Sequence, residues 1–231
     1  MQKVKIGFDL GGTNMGCALV SQEGNILYEN ETETLANESA NNILNRIKFL
    51  INNSLDNAKK NNYQVEFIGI GCPGLLDTKK GIIKFSPNIP NFKDFYISKL
   101  IEDEFNIKVK IDNDVRVAAI GEFLFGAGKG YSNIICITIG TGIGGGIILN
   151  SKLQRGPTES IGEIGHMTLK EDGPLCGCGN YGCLESLASS TAIIREIDNA
   201  IKENKSEILK SLVEKGEKKG SHMLVKAIEK R

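Results

Sequence analysis

The chain has 231 residues, with 28 basic and 28 acidic side chains and a formal net charge of zero. That balance argues against bulk electrostatic attraction to nucleic acid or an anionic lipid surface. The longest apolar runs, such as IICITI (134–139), are too short to span a bilayer, and Asp9 interrupts the opening MQKVKIGFDLGGT before an apolar core of signal-peptide length can form. A cytoplasmic protein is expected, with one large domain or two small ones burying roughly 70 % of the unfolded surface.

In chain order, residues 4–32 read as three short strands broken by Gly-Gly-Thr-Asn and Gln-Glu-Gly-Asn. Residues 38–60 place Ile43, Ile47, Leu50, Ile51 and Leu55 on one helical face. A buried strand (65–74), a helix (94–105), a strand (107–112) and a helix (114–128) that starts at an acidic residue and stops at glycine follow. Residues 132–150 read as strand, glycine turn, strand. A long helix over 183–204 and a charged, helical tail complete the chain. Strands and helices alternate, so the class is α/β. A boundary after residue 112 is expected, giving lobes of 1–112 and 113–231.

Of the six cysteines, Cys17, Cys72 and Cys136 sit singly in apolar stretches and read as small buried hydrophobes. Cys176, Cys178 and Cys183 cluster within CGCGNYGC. In a reducing compartment such a cluster is more often a metal site than a disulfide. Zinc takes four tetrahedral ligands, and His166 is the candidate for the fourth. Interleaved glycines let the backbone aim three sulfurs at one point. A full set of four protein ligands makes the metal structural rather than a water activator. A glycine-rich loop with free thiols is the plainer alternative.

Two glycine turns echo each other. DLGGTN (9–14) and GTGIGGG (140–146) each join a strand to another strand, unlike the strand-to-helix turn of dinucleotide folds. Such turns expose consecutive N–H groups to phosphate oxygens. Two of them, from two lobes facing across a cleft, would hold a nucleotide's outer phosphates. Asp9 would hold Mg²⁺ directly or through water, and Thr13 and Thr141 offer hydroxyls. Glycine needed only for hairpin geometry is the competing reading. Asp114 stands where a helix begins, placed to accept a hydroxyl proton in phosphoryl transfer. Asp112, Asn113 or Asp114 could equally be an N-cap, and spacing does not separate the two.

Taken together, FDLGGTN (8–14), GIGCPGLLD (69–77), SPNIPNF (86–92), DNDVRVAAIGEFLFGAGKG (112–130), ITIGTGIGGGI (137–147), GEIGHMTL (162–169) and GPLCGCGNYGCLESLAS (173–189) resemble the ROK family of sugar kinases and sugar-responsive repressors. The resemblance covers residues 4 to about 195 and is nearest to the family's bacterial glucokinases. It implies an actin/hexokinase-like (ribonuclease H-like) fold of two lobes around a cleft. The implied activity is an ATP-dependent hexose kinase that moves the γ-phosphoryl group to the sugar 6-hydroxyl, with Asp114 as base. It also implies phosphate loops at Asp9, Gly11, Gly12 and Thr13 and at Thr141, Gly142, Gly144 and Gly145. Sugar hydroxyls would be held by Asn88, Asn113, Asp114, Glu163, His166 and Glu185. Zinc would be held by His166, Cys176, Cys178 and Cys183. A homodimer or homotetramer is implied, with a hexose and ATP as partners and neither nucleic acid nor membrane.

The sequence departs from the family pattern in two places. Val115 and Arg116 stand where small or amide residues are usual, so Arg116 is expected either to face solvent or to crowd the sugar. No third glycine-rich stretch follows residue 195, so the second lobe is expected to be incomplete at its C-terminus. Competing readings are a ROK-type sugar-sensing transcriptional regulator and a sugar-binding fragment without catalysis. Glucose is the expected sugar, with N-acetylmannosamine, mannose or fructose as alternatives.

Overall fold

Alternating apolar residues fold the start of the chain into a meander. In the computed structural model, which describes residues 1–229, β1 (Gln2–Leu10) pairs antiparallel with β2 (Asn14–Ser21), and β2 with β3 (Ile26–Glu33). Along β1, Val4, Ile6, Phe8 and Leu10 are buried and their neighbours are not, the period-2 pattern of a sheet with one packed face. Helix α1 (Ala40–Lys60) starts at Ser39, whose side chain accepts from the Asn42 N–H at 3.2 Å. It buries the expected Ile43, Ile47, Leu50 and Ile51 over β2, β3 and β4 (Tyr63–Cys72).

The crossover through α1 makes β4 parallel to β1, and β8 (Val109–Asn113) adds parallel to β4. The resulting sheet has the order β3-β2-β1-β4-β8. A small antiparallel sheet of β5 (Leu75–Asp77), β6 (Ile82–Phe85) and β7 (Lys93–Phe95) precedes α2 (Ile97–Phe105). Residues expected to open that helix are taken by β7, where Phe95 stacks on buried Phe92 with centroids 4.1 Å apart. Helix α3 (Asp114–Phe125) packs on β4 and β8.

A second sheet has the order β11-β10-β9, with β9 at Ile134–Ile139, β10 at Ile143–Leu149 and β11 at Lys152–Leu153. Of the single cysteines, Cys17 and Cys72 are buried as expected. Cys136 is only half-buried, because β9 is an edge strand whose alternate residues Ile135, Ile137 and Ile139 are all exposed. The long helix expected over 183–204 is two helices, α4 (Leu184–Ala188) and α5 (Ser190–Lys202). They break at Ser189, whose backbone is extended and whose hydroxyl accepts the Ala192 N–H at 3.2 Å. The charged tail forms α6 (Glu207–Glu214) and α7 (Ser221–Glu229), and Leu209, Leu212 and Met223 bury against Ile197 of α5.

By packing, the chain resolves into two compact units: 1–134 with 146–154, and 135–145 with 155–231. Helix α3 lies with the first unit because it rests on β4 and β8, whereas a boundary after residue 112 assigns it to the second. No helix among the described residues is long and apolar enough to cross a membrane.

Candidate active site and metal centre

In the first unit, β1, β4 and β8 run parallel and so end along one edge of the sheet. The register sets Asp9 beside Gly71 and Gly71 beside Asp112, with Asp114 two residues further on at the start of α3. Carboxyl ends of parallel strands are where open α/β sheets bind ligands. Asp9 keeps an exposed face, yet enough protein surrounds its carboxylate that desolvation, and then repulsion from Asp114, raises its pKa above the ordinary value.

The turn after Asp9 is crowded. A Cβ on Gly11 would press on the Asn14 carbonyl, and one on Gly12 would lie 2.8 Å from the Asn88 Cβ. Asn88 is thus brought against the first turn. Thr34, fully buried, anchors the same turn: its hydroxyl donates to the Gly11 carbonyl and its N–H to the Thr13 carbonyl, both at 2.7 Å.

Asn113 is the N-cap of α3. Its Oδ1 accepts from the N–H groups of Val115 (3.1 Å) and Arg116 (3.3 Å). The amide therefore uses its oxygen locally, and its Nδ2 is the group it can offer a ligand. Arg116 neither faces solvent nor is free to crowd a ligand. It is buried, 2.9 Å from Asp112.

In the second unit the four candidate metal ligands converge. One donor atom each of His166, Cys176, Cys178 and Cys183 lies within 4.8 Å of all the others. His166 Nδ1 is 3.7 Å from Cys176 Sγ, and Cys178 Sγ is 3.7 Å from Cys183 Sγ. Tetrahedral zinc with Zn–S near 2.3 Å separates its ligands by about 3.8 Å, so the donor set fits the ion. The loop that makes this possible is held by its own backbone: Cys176 N–H donates to Asn180 O at 2.8 Å, and Gly182 N–H to Pro174 O at 2.9 Å. Gly182 has φ +66, and a Cβ there would overlap the Lys170 carbonyl, so only glycine fits. Burial, and then the neighbouring Cys178 and Cys176 thiols, push Cys183 up to about 12, while a backbone hydrogen bond at Asn180 lowers Cys178.

Glu163 is exposed and lies 3.9 Å from the other ring nitrogen of His166. Glu185, in the first turn of α4, accepts the Ile143 N–H on Oε2 at 2.8 Å; its Oε1 is 3.9 Å from Cys176 Sγ. Glu185 also fills the space a Cβ on Gly142 would need. Thr141, Gly142 and Gly144 lie in or beside the β9–β10 turn, and buried Gly145 is pressed against the Gly162 carbonyl. The Thr191 hydroxyl donates to the Thr141 carbonyl at 2.8 Å. Thr34 and Thr191, which fasten the two glycine turns, were not singled out from the sequence. Each acts from a distant strand end or helix, and a lone threonine carries no motif.

The ROK family model matches residues 5–230. The chain belongs to the ROK family. A curated glucokinase of Thermotoga maritima is 36 % identical to this ROK chain over 219 residues, covering 94 % of the chain and 68 % of the relative. The crystal structure of a ROK family glucokinase from Streptomyces griseus, in complex with glucose and AMPPNP, superposes with a TM-score of 0.74 at 37 % identity, over 89 % of this chain and 64 % of that one. A xylose repressor of Caldicellulosiruptor bescii is 32 % identical over 233 residues, covering 96 % of the chain and 58 % of the repressor. The chain thus spans roughly three-fifths to two-thirds of the length of these relatives. The ROK likeness carries the expected α/β, actin/hexokinase-like fold.

Proposed function

We propose that this ROK protein is an ATP-dependent hexose kinase with glucose as its sugar. The observation that carries the reading is the pair Asp9 and Asp114, set along the carboxyl edge of β1, β4 and β8 beside the crowded Gly11–Gly12 turn. A binding protein has no need of two carboxylates that repel each other there.

The roles follow from the chemistry. Asp114 takes the proton of the sugar 6-hydroxyl as that oxygen bonds to the γ-phosphorus and the bond to the ADP oxygen breaks. The backbone N–H groups of the two glycine turns, with the Thr13 and Thr141 hydroxyls, hold phosphate oxygens. The donor set at Asp9 suits Mg²⁺, since a cation there relieves its repulsion from Asp114; bound, the ion neutralises charge on the phosphates. Asn88 and the Asn113 Nδ2 donate to sugar hydroxyls, while Glu163 and Glu185 accept from them. Each carboxylate oxygen has two lone pairs, so the Ile143 bond leaves Glu185 an acceptor to spare. A zinc ion held by His166, Cys176, Cys178 and Cys183 has a closed shell and serves structure.

The test is ADP release from ATP and Mg²⁺ across a panel of glucose, mannose, fructose and N-acetylmannosamine. Release with glucose that vanishes in Asp114→Asn supports the reading. Sugar binding without release from any member of the panel overturns it in favour of a sugar-sensing regulator, the reading that the likeness to the xylose repressor supports.

A further inference from the structure

The metal loop and the second glycine turn are joined by a short run of chain, α4 and the start of α5, of which the kinase reading uses only Cys183 and Glu185. Cys183 is the N-cap residue of α4, so ligation there fixes where that helix begins. Leu184 N–H donates to Met167 O at 2.9 Å, and the Ser186 hydroxyl to Cys183 O at 2.8 Å, which fasten the helix to the loop. Arg195 of α5 donates to Ser186 O at 2.9 Å, tying α4 to α5.

From this platform three hydrogen bonds reach the turn at successive points. Ser190 N–H donates to Gly140 O at 2.9 Å, the Thr191 hydroxyl donates to Thr141 O at 2.8 Å, and Glu185 accepts the Ile143 N–H at 2.8 Å. The turn itself supplies one cross-link, Gly140 N–H to Gly142 O at 2.9 Å. Glycines give it little intrinsic stiffness. Its shape is therefore set from outside.

We infer that Glu185 and Thr191 are positioning residues that transmit the order of the metal loop to the 140–145 turn, so that the metal, through α4 and α5, governs nucleotide phosphate binding as well as sugar binding. The role in phosphate binding rests on the kinase reading; the mechanical link does not. Glu185 takes an N–H out of the turn and fills the space beside Gly142, and Thr191 holds the preceding carbonyl. Losing either frees the turn to sample conformations in which its N–H groups diverge.

Hydrogen–deuterium exchange on the full chain tests the link without any need for catalysis. In Thr191→Val and Glu185→Ala, amides of 140–145 exchange about tenfold faster, with 207–214 unchanged as the sign of an intact unit. Glu185→Gln, whose amide oxygen still accepts from Ile143, restores protection, whereas Glu185→Met, which fills similar space without an acceptor, does not. In Cys178→Ser, 140–145 and 176–183 both quicken. Unchanged exchange of 140–145 in Thr191→Val and Glu185→Ala, or quickening of 176–183 alone in Cys178→Ser, overturns the inference.

Kinetics supplies the second reading. Thr191→Val raises KM for ATP about tenfold while KM for glucose holds. An equal rise in both overturns the phosphate role. Absence of turnover in the parent chain counts against the kinase reading, and the exchange results still decide the link.

Discussion

Arg116, in the first turn of α3, donates from Nε to Oδ1 of Asp112, near the end of β8, at 2.9 Å, with both side chains buried. The same oxygen accepts the Asn113 N–H at 2.8 Å. One carboxylate thus ties the last residues of β8 to the first turn of α3, on either side of Asp114. Arg116 is a strut between the strand end and the helix start that flank Asp114.

Breaking such a pair leaves an uncompensated buried charge, at a cost of about 3–5 kcal/mol. Arg116→Met alone should lower the unfolding free energy by that order in urea. Adding Asp112→Leu should recover most of it, because an apolar pair removes the stranded charge. Equal losses in the single and double variants would show that Arg116 contributes packing rather than pairing.

The metal centre predicts its own failure. Cys178→Ser removes one of four converging donors. Elemental analysis of the purified chain should show about one zinc per chain in the parent and little in the variant, with sugar affinity falling in parallel. Gly182→Ala should do the same without touching a ligand, because its Cβ would overlap the Lys170 carbonyl at φ +66. Undiminished zinc in both variants would remove the site.

How much of this was legible before the structure depends on the kind of residue. Cysteines and histidine declare themselves, because few other uses explain three thiols in eight residues. The apolar spacing of α1 likewise placed its buried face, since period alone dictates it. What could not be read is what depends on long-range register. Thr34 and Thr191 hold turns 23 and 50 residues away. The break at Ser189 gives no periodic signal, because the apolar stripe continues through it. Arg116 was misjudged because a charged residue reads as exposed until a buried partner is known. Cys136 was expected to be buried, and is only half-buried, because a run of isoleucines looks the same on an edge strand as on a central one.

Asp114→Asn keeps the shape of the side chain and removes its ability to take a proton. Turnover with glucose should fall by about two to four orders of magnitude, while glucose affinity measured by calorimetry changes little. A variant that retains turnover would sink the assignment of the base.

Asp9 gives a prediction whose sign is unusual for a carboxylate. Its folded pKa lies above the ordinary 3.8, because desolvation and the Asp114 charge oppose ionisation. The folded state therefore holds this proton more tightly than the unfolded chain, and ionising it destabilises the fold. Below pH 3.8 both states are protonated and the group contributes nothing. The penalty grows as pH rises from there to the folded pKa and is constant above it. Asp9→Asn should accordingly be more stable than the parent at neutral pH, with the difference vanishing toward pH 3.8. The same substitution should abolish turnover, because it removes the carboxylate assigned to Mg²⁺. Added Mg²⁺ should raise the melting temperature of the parent and leave that of Asp9→Asn unmoved. Denaturation curves at several pH values, with and without Mg²⁺, check both statements. A variant less stable than its parent at pH 7 would mean that Asp9 is held by favourable bonds, contrary to the repulsion argued from its place beside Asp114.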